Sequence, residues 1–158
     1  MPIYMKYGDI KGDVTEAGHK DWIALHSFQW GVGRGISSPT GAAHNREASA
    51  PSISEVVVTK NQDVSSVQLL EEAYQGQGKD VEIHFTRTMK DKLDTYMQYK
   101  LTNTMVSGYS ISSGGDRPTE SISLNFTKVE YKMTPQSEGG KNVAGSSVTY
   151  NLAEAKTA

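Results

Sequence analysis

Several stretches of the chain alternate apolar and polar residues with the period of two that is typical of β-strands. The first runs from Ile3 to Tyr7 and stops at a Gly-Asp turn. Ile53 to Lys60 is rich in β-branched residues and predicts a buried strand. Val81 to Thr86 alternates strictly, which predicts a strand with one face in the core and the other in solvent.

The alternation continues in the second half of the chain. From Met97 to Ile111 the apolar residues keep to odd positions, and this predicts one long strand. A short alternating stretch over about 147–152 predicts the last strand. Strands therefore dominate the predicted fold.

Two predicted strands change the phase of their alternation part-way. The apolar positions are odd up to Leu25 and even from Phe28, and a second change of phase falls at 127–128. Because a strand repeats every two residues, such a slip requires an extra residue in the ladder. We therefore expect a bulge or bend near 26–27 and another near 127–128.

One helix is predicted, over about 64–75, between Asp63 or Ser65 as its cap and a pair of glycines that end it. Its apolar stripe is expected to cover the end or flank of a sheet rather than to bind a cofactor. The stripe has helical spacing and consists of Val64, Val67, Leu70 and Tyr74, with Leu69 and Ala73 beside them.

The segment 33–52 contains Gly, Ser, Pro and Ala throughout and has no sustained hydrophobic period. Connections of this length are uncommon in compact domains and are usually functional or disordered. Glycine permits the backbone angles of an extended arm, and charged side chains suit contacts across an interface. We expect a contact loop; the alternative is a surface loop with no such role.

Long strands, two bulges and one helix predict a mainly β fold. We expect an antiparallel β-barrel, formed by two packed and strongly bent sheets, with one flanking α-helix and a long extended loop. The length of 158 residues fits a single domain over 1–158, long enough to bury a sizeable core.

Composition removes several classes of function. The formal net charge is −2 and no run of Lys or Arg occurs, so we expect no nucleic-acid partner. No stretch reaches the roughly 20 apolar residues of a membrane helix, and the first residues lack the apolar core of a signal peptide. The chain has no cysteine, which excludes thiolate chemistry and fits folding in a reducing cytoplasm.

No catalytic constellation is visible in the sequence. There is no Gly-x-Ser-x-Gly elbow, and the glycines of 31–35 lack the strand-to-helix context of a dinucleotide loop. Asp9 and Asp13 lack the ligand spacing of a calcium loop. We expect no catalytic, cofactor-binding or metal-binding residues, and a structural role for the isolated histidines, which are His19, His26, His44 and His84.

Eight fragments along nearly the whole chain carry a family resemblance. They are Gly8 to Gly12, Gly18 to Ile23, Phe28 to Val32, Val57 to Lys60, Val81 to Thr88, Val106 to Ser110, Ser113 to Ser121 and Leu124 to Lys128. Their order and spacing count for more than any single fragment does. Together they resemble the haemolysin-coregulated protein (Hcp) family of type VI secretion systems.

The resemblance implies a structural tube subunit and not an enzyme. Six copies would close into a ring, and rings would stack into the inner tube of a contractile injection machine. The implied partners are further copies of the chain, the contractile sheath, the spike protein at the tip and small effector proteins in the lumen. The chain would be built in the cytoplasm and expelled without a signal peptide, and its end at 158 leaves no room for a toxin domain.

The family's extended loop reaches a neighbouring subunit, and 33–52 is the matching position. The resemblance therefore implies that the interface residues include Gly33, Arg34, Gly35, Gly41, His44, Arg46 and Glu47. The tube protein of a phage-tail-like or extracellular contractile injection system is the close alternative. A ligand-binding β-sandwich module, using exposed strand aromatics such as Tyr96, and a small hydrolase are the alternatives of a different class.

Overall fold

The computed structural model describes residues 1–37, 40–41, 47–90, 92–135 and 145–157, with the backbone alone for Glu47. Strands dominate these residues, and their order follows the alternation of the sequence. The elements are β1 (Ile3–Tyr7), a 3-10 helix (Ala17–His19), β2 (Ile23–Leu25), β3 (Ser27–Gln29), β4 (Val32–Gly33), β5 (Ile36–Ser37), β6 (Glu47–Ala48), β7 (Ser52–Ile53), β8 (Val56–Asn61), α1 (Ser66–Gln75), β9 (Lys79–Met89), β10 (Lys92–Ser112), β11 (Thr119–Asn125), β12 (Lys128–Met133), β13 (Ser146–Asn151) and β14 (Lys156–Thr157).

Two antiparallel sheets share the long strand β10. The first sheet has the order β2-β1-β9-β10-β12-β13-β14, and the second has the order β10-β11-β8-β3. The expected mainly β fold of two packed, bent sheets with one helix is confirmed. Among the described residues the strand pairing does not close into a continuous barrel.

The chain passes between the sheets at the two places where the alternation slips. At His26 it leaves β2 of the first sheet and enters β3 of the second, and the His26 amide donates to the Thr59 carbonyl at 2.7 Å. Between β11 and β12 it returns, and the Thr127 amide donates to the Thr102 carbonyl at 3.0 Å. The predicted bends near 26–27 and 127–128 are therefore crossings from one sheet to the other.

Strand β10 is one strand, as predicted, but its alternation is not continuous. Leu101 is buried at an odd position, whereas Thr104 and Val106 are buried at even positions. Asn103 lies between them in the left-handed region, with φ of 54°, and the register against β9 shifts there. Asn tolerates this conformation better than most residues do, and the turn it introduces exchanges the two faces of the strand.

The core lies between the two sheets and is closed on one side by the helix. Aliphatic side chains of β8, β9, β11 and β2 fill its centre, and Leu69 is the helix residue buried in it. The buried apolar residues that pack together in this core are Met5, Tyr7, Ile10, Ile23, Leu25, Val56, Val58, Leu69, Val81, Ile83, Phe85, Leu101, Val106, Ile122, Leu124, Phe126 and Val129.

The helix buries a different face from the one that its apolar stripe predicts. Val64, Val67 and Tyr74 of that stripe are 63%, 77% and 80% exposed. Leu69 is buried, together with Ser66 one turn earlier. The prediction was wrong because Ser66 is drawn inwards by a buried carboxylate, and a helix that buries Ser66 and Leu69 must turn Val67 outwards.

Candidate subunit-contact surface

Residues 32–37 and 47–53 run antiparallel to each other, and the segment 32–53 to which they belong is here called the arm. At its base, β4 pairs with β7, with Val32 opposite Ile53. Further out, β5 pairs with β6, with Ile36 opposite Ala48. Both pairs lie outside the two main sheets. The segment that the sequence shows as aperiodic is therefore a paired ribbon in the part that the structure describes.

Two serines hold the arm together where its backbone pairing is interrupted. The Gly35 amide donates to Ser49 Oγ at 3.0 Å, and the Ser49 amide donates to the Gly35 carbonyl at 2.8 Å. At the base, the Gly31 amide donates to Ser54 Oγ at 2.9 Å, and the Ser54 amide donates to the Gly31 carbonyl at 3.0 Å. These bonds supply hydrogen-bond partners that a regular ladder would provide.

The predicted interface residues are spread along the arm. Gly33 lies in β4, whereas Arg34 and Gly35 lie between β4 and β5, all three exposed. Gly41 has φ of 85°, which favours glycine, but Gly33 and Gly35 are not in the left-handed region, so the expectation of unusual backbone angles holds only at Gly41. His44 and Arg46 lie outside the described residues, and Glu47 is described by its backbone alone.

An apolar groove of about 410 Å³ runs between the base of the arm and the strands that follow β10. Trp30 and Tyr99 meet on its wall with ring centroids 5.6 Å apart, and Tyr99 meets Tyr131 at 5.2 Å. Burial raises the pKa of Tyr99. The groove is lined by Trp30, Val32, Pro51, Ile53, Tyr99, Val129, Tyr131, Val148, Tyr150 and Thr157.

The outward face of α1 is a second apolar surface, here called the helix stripe and formed by Val67 and Tyr74 with Val64 just before the helix. Glu71 lies between Val67 and Tyr74 on the same face and is exposed. Large exposed apolar side chains in such a row are typical of a contact surface. The arm, the groove and the helix stripe thus give the chain several candidate contact regions.

Comparison with known proteins decides between the families that these surfaces would suit. The model of the family described as "Type VI secretion system effector, Hcp" matches residues 4–133. The chain belongs to the Hcp family. The match covers both main sheets up to β12 and includes the arm.

Solved structures of the Hcp family share the fold. One, described as "Structure of a type six secretion system protein", is 30% identical with a TM-score of 0.91, and the match covers 99% of each chain. A type VI secretion system effector from Yersinia pestis is 20% identical with a TM-score of 0.74, covering 94% of this chain and 98% of the other. Hcp1 from Salmonella typhimurium is 17% identical with a TM-score of 0.75, covering 99% and 98%. No curated protein matches the chain.

This member of the Hcp family also has a buried ionic network that the sequence did not indicate. Lys60 Nζ lies 2.5 Å from Glu120 Oε1 and 3.0 Å from Asp63 Oδ1. Ser66 Oγ donates to Glu120 Oε1 at 2.6 Å, and the Tyr109 hydroxyl donates to the other oxygen of Glu120. The network joins α1 to β8 and β11. Its residues Lys60, Glu120 and Ser66 are buried, so it is closed to a substrate.

The sequence predicts four isolated histidines, but the structure brings two of them together. His19 Nε2 lies 2.9 Å from His84 Nδ1, and His19 Nδ1 lies 2.6 Å from Glu16 Oε2. A carboxylate beside an imidazole is half of a hydrolase triad, but the second nitrogen of His19 meets an imidazole instead of a hydroxyl. Sixty-five positions separate the pair in sequence, and no local spacing rule could have found it.

Two features of the described residues bear on other functions. No group of three or more His, Cys, Asp or Glu side chains is placed to hold a metal ion there. Asp9 and Asp13 lie near different cations, Lys79 at 3.5 Å and Arg117 at 3.9 Å. In the same residues, no helix is long and apolar enough to cross a membrane.

Proposed function

We propose that this chain is the subunit of the inner tube of a type VI secretion system, and that six copies close into a ring. The match of the Hcp family model to residues 4–133 carries the proposal. It is supported by the relative that is described as a type six secretion system protein and covers 99% of the chain. Rings stack into a tube that the contractile sheath expels.

The arm is the element that we assign to assembly. Within the described residues its strands pair only with each other, and Val32 and Ile36 remain exposed on it. A paired ribbon keeps its shape without support from the core, so it can reach a neighbouring subunit at a small entropic cost. Arg34 is exposed and, within the described residues, has no ion-pair partner, which leaves it available to a neighbour.

The groove and the helix stripe support contacts around the ring. They are different surfaces of one chain, so a contact between them is head-to-tail and must either close into a ring or continue into a filament. Burial of apolar surface favours such a contact by about 25 cal/mol for each Å² removed from water. We assign the helix stripe to the interface between neighbouring subunits.

The remaining roles follow from the same proposal. The polar faces of the strands line the lumen and hold small effector proteins there, while the spike protein caps the tube. The subunit is in the cytoplasm before firing and outside the cell or in a target cell afterwards. The Hcp family consists of structural, secreted tube proteins, and we propose that this chain has no hydrolase activity of its own.

Replacement of residues 36–47 by a short Gly-Ser linker tests the role of the arm. The base of the arm and every core residue are retained, so circular dichroism and a cooperative melt should match the parent chain. Native mass spectrometry at micromolar concentration should show rings for the parent and mostly monomer for the variant. A folded variant that still forms rings would show that 33–52 is only a connector.

A matched pair of point variants refines this test. Ile36 lies on the arm and Ile111 lies near the end of β10, and they are similarly exposed. Both changes remove the same apolar side chain, but only Ile36 lies on the arm. Ile36→Ser should therefore weaken the rings, whereas Ile111→Ser should leave them intact. Equal effects of the two variants would contradict the assignment of the arm.

A further inference from the structure

A short segment of the chain covers the outer face of the first sheet. Residues 11–22 cross this face and end at β2, and they include the 3-10 helix Ala17–His19. Their own backbone bonds close a loop, since the Asp21 amide donates to Val14 at 2.8 Å and the Trp22 amide donates to His19 at 3.0 Å. His19 is the buried residue of the 3-10 helix and contacts Tyr4 and His84 of the sheet below, and Trp22 also contacts His84.

The contact to the sheet is a chain of three side chains. Glu16 Oε2 lies 2.6 Å from His19 Nδ1, and His19 Nε2 lies 2.9 Å from His84 Nδ1 on β9. The His19 ring also stacks at 4.8 Å on Tyr4 of β1 and meets Trp22 edge-on at 4.7 Å. No other hydrogen bond between side chains joins this segment to β9 in the described residues.

We propose that Glu16, His19 and His84 form an acid-sensitive clamp, which holds residues 11–22 on the sheet and opens when both imidazoles are protonated. All three side chains belong to one subunit, so the clamp does not require ring formation.

The hydrogen bonds of the clamp limit the number of protons that its two imidazoles can carry. The Glu16 carboxylate accepts a hydrogen bond from His19 Nδ1. A neutral His19 therefore has an unprotonated Nε2, which accepts a hydrogen bond from His84 Nδ1. One added proton is tolerated, since a protonated His19 can donate from Nε2 to an unprotonated Nδ1 of His84. A second proton makes both facing nitrogens donors, and two positive rings then meet at hydrogen-bond distance.

The surroundings of His84 act against that second proton. Burial, followed by the charge of His19, lowers the pKa of His84, while Glu82 opposes this shift and Lys100 adds to it. The facing groups are Glu16 and Tyr4 around His19, Trp22 in contact with both imidazole rings, and Glu82, Lys100 and Gln98 beside His84. Glu82 Oε2 lies 3.8 Å from His84 Nε2, and Lys100 Nζ lies 3.6 Å from Oε1 of the same carboxylate, so Glu82 cannot fully balance a second charge on the histidines.

The sign of the pH effect follows. A histidine whose folded pKa is lowered stabilises the folded form above its unfolded pKa of about 6.5, and this stabilisation is lost as pH falls through the folded value. The pKa of Glu16 is also lowered, first by the Gly18 amide and then by His19, but that contribution is lost only at more acidic pH. The clamp should therefore weaken below about pH 6.5, before the carboxylates titrate.

Hydrogen exchange of the full-length chain tests the clamp. Protection of the Asp21 and Trp22 amides, corrected for the intrinsic rate, should fall by about tenfold between about pH 7.5 and about pH 5, on either side of the ordinary histidine value. Core amides such as those of Ile83 and Leu124 should keep their protection. A parent chain whose segment 11–22 is equally protected at both values would overturn the proposal without any variant.

Two substitutions separate the clamp from a purely structural contact. In His84→Gln the amide can still bond to His19 but cannot gain a charge, so protection of Asp21 and Trp22 should no longer depend on pH. His26→Gln removes an exposed histidine outside the cluster and should keep the parent profile. A His84→Gln protein with the parent's pH dependence would also overturn the proposal.

Discussion

Lys60 Nζ lies 2.5 Å from Glu120 Oε1, and neither side chain has any exposure to solvent. The two residues are directly opposite in the pairing of β8 with β11, and the Ser66 hydroxyl at the start of α1 bonds to the same carboxylate oxygen. One ion pair therefore fixes the position of the helix on the second sheet, and it also decides which face of the helix is buried.

Removing one partner of this pair should be costly, because the other charge stays buried. We expect Lys60→Met to lower the free energy of unfolding by about 3–5 kcal/mol, and Glu120→Gln to have a loss of the same sign. The double variant Lys60→Met, Glu120→Gln should lose less than the sum of the single losses, since neither charge is left buried without its partner. Urea unfolding of the four proteins measures this coupling, and strict additivity would contradict it.

The two faces of the helix should respond differently to truncation. Leu69→Ala leaves a cavity in the core, and we expect a loss of about 2–5 kcal/mol. Val67→Ala removes an exposed side chain, so the monomer's stability should change by no more than about 0.5 kcal/mol. Comparable losses in urea unfolding would show that the stripe predicted from sequence is the buried face after all.

Gly12 should not tolerate a side chain. A Cβ at this position would lie 2.3 Å from the Trp22 carbonyl oxygen and 2.8 Å from Ile23 Cα, and both of these atoms are backbone. We expect Gly12→Ala to lower the melting temperature by several degrees, because the segment would have to move off β2. Gly114→Ala is the control, since nothing lies within 4 Å of its Cβ and its melting temperature should match that of the parent.

Alkaline pH should destabilise the fold through its buried tyrosines. Burial raises the pKa of Tyr7 above the ordinary value of 10.0, with Glu72 adding to the shift. The unfolded chain thus loses the phenol proton first, and the free energy of unfolding should fall as pH rises above about 10. Tyr4 and Tyr99 shift in the same direction.

Tyr7→Phe isolates the contribution of one phenol. The variant loses the hydrogen bond from the Tyr7 hydroxyl to the Thr104 carbonyl, so it should be less stable by about 1 kcal/mol near neutral pH. Its further loss between about pH 9 and about pH 11 should be smaller than that of the parent. Parallel curves for the two proteins would exclude Tyr7 as a source of the alkaline instability.

The arm shows where sequence reasoning about the candidate site reached its limit. Length and composition marked 33–52 as unusual, and the structure places Arg34 and Gly35 in the arm, where both are exposed. The pairing itself was not predictable, because the ribbon has no alternation of apolar and polar residues. The Ser49 and Ser54 side chains supply some of its hydrogen bonds in place of a regular ladder. The groove was missed for another reason, since its aromatic residues come from strands that are distant in sequence.

The sequence by itself determined the main strands, a bend near 26–27 and another near 127–128, the existence of one helix and the resemblance to the Hcp family. These features are local, because alternation, phase and fragment order are all written along the chain. Only the tertiary structure decided the buried face of the helix, the change of face at Asn103 and the meeting of His19 with His84. Each of these depends on a partner far away in sequence, and no periodicity records which distant side chain a residue will meet.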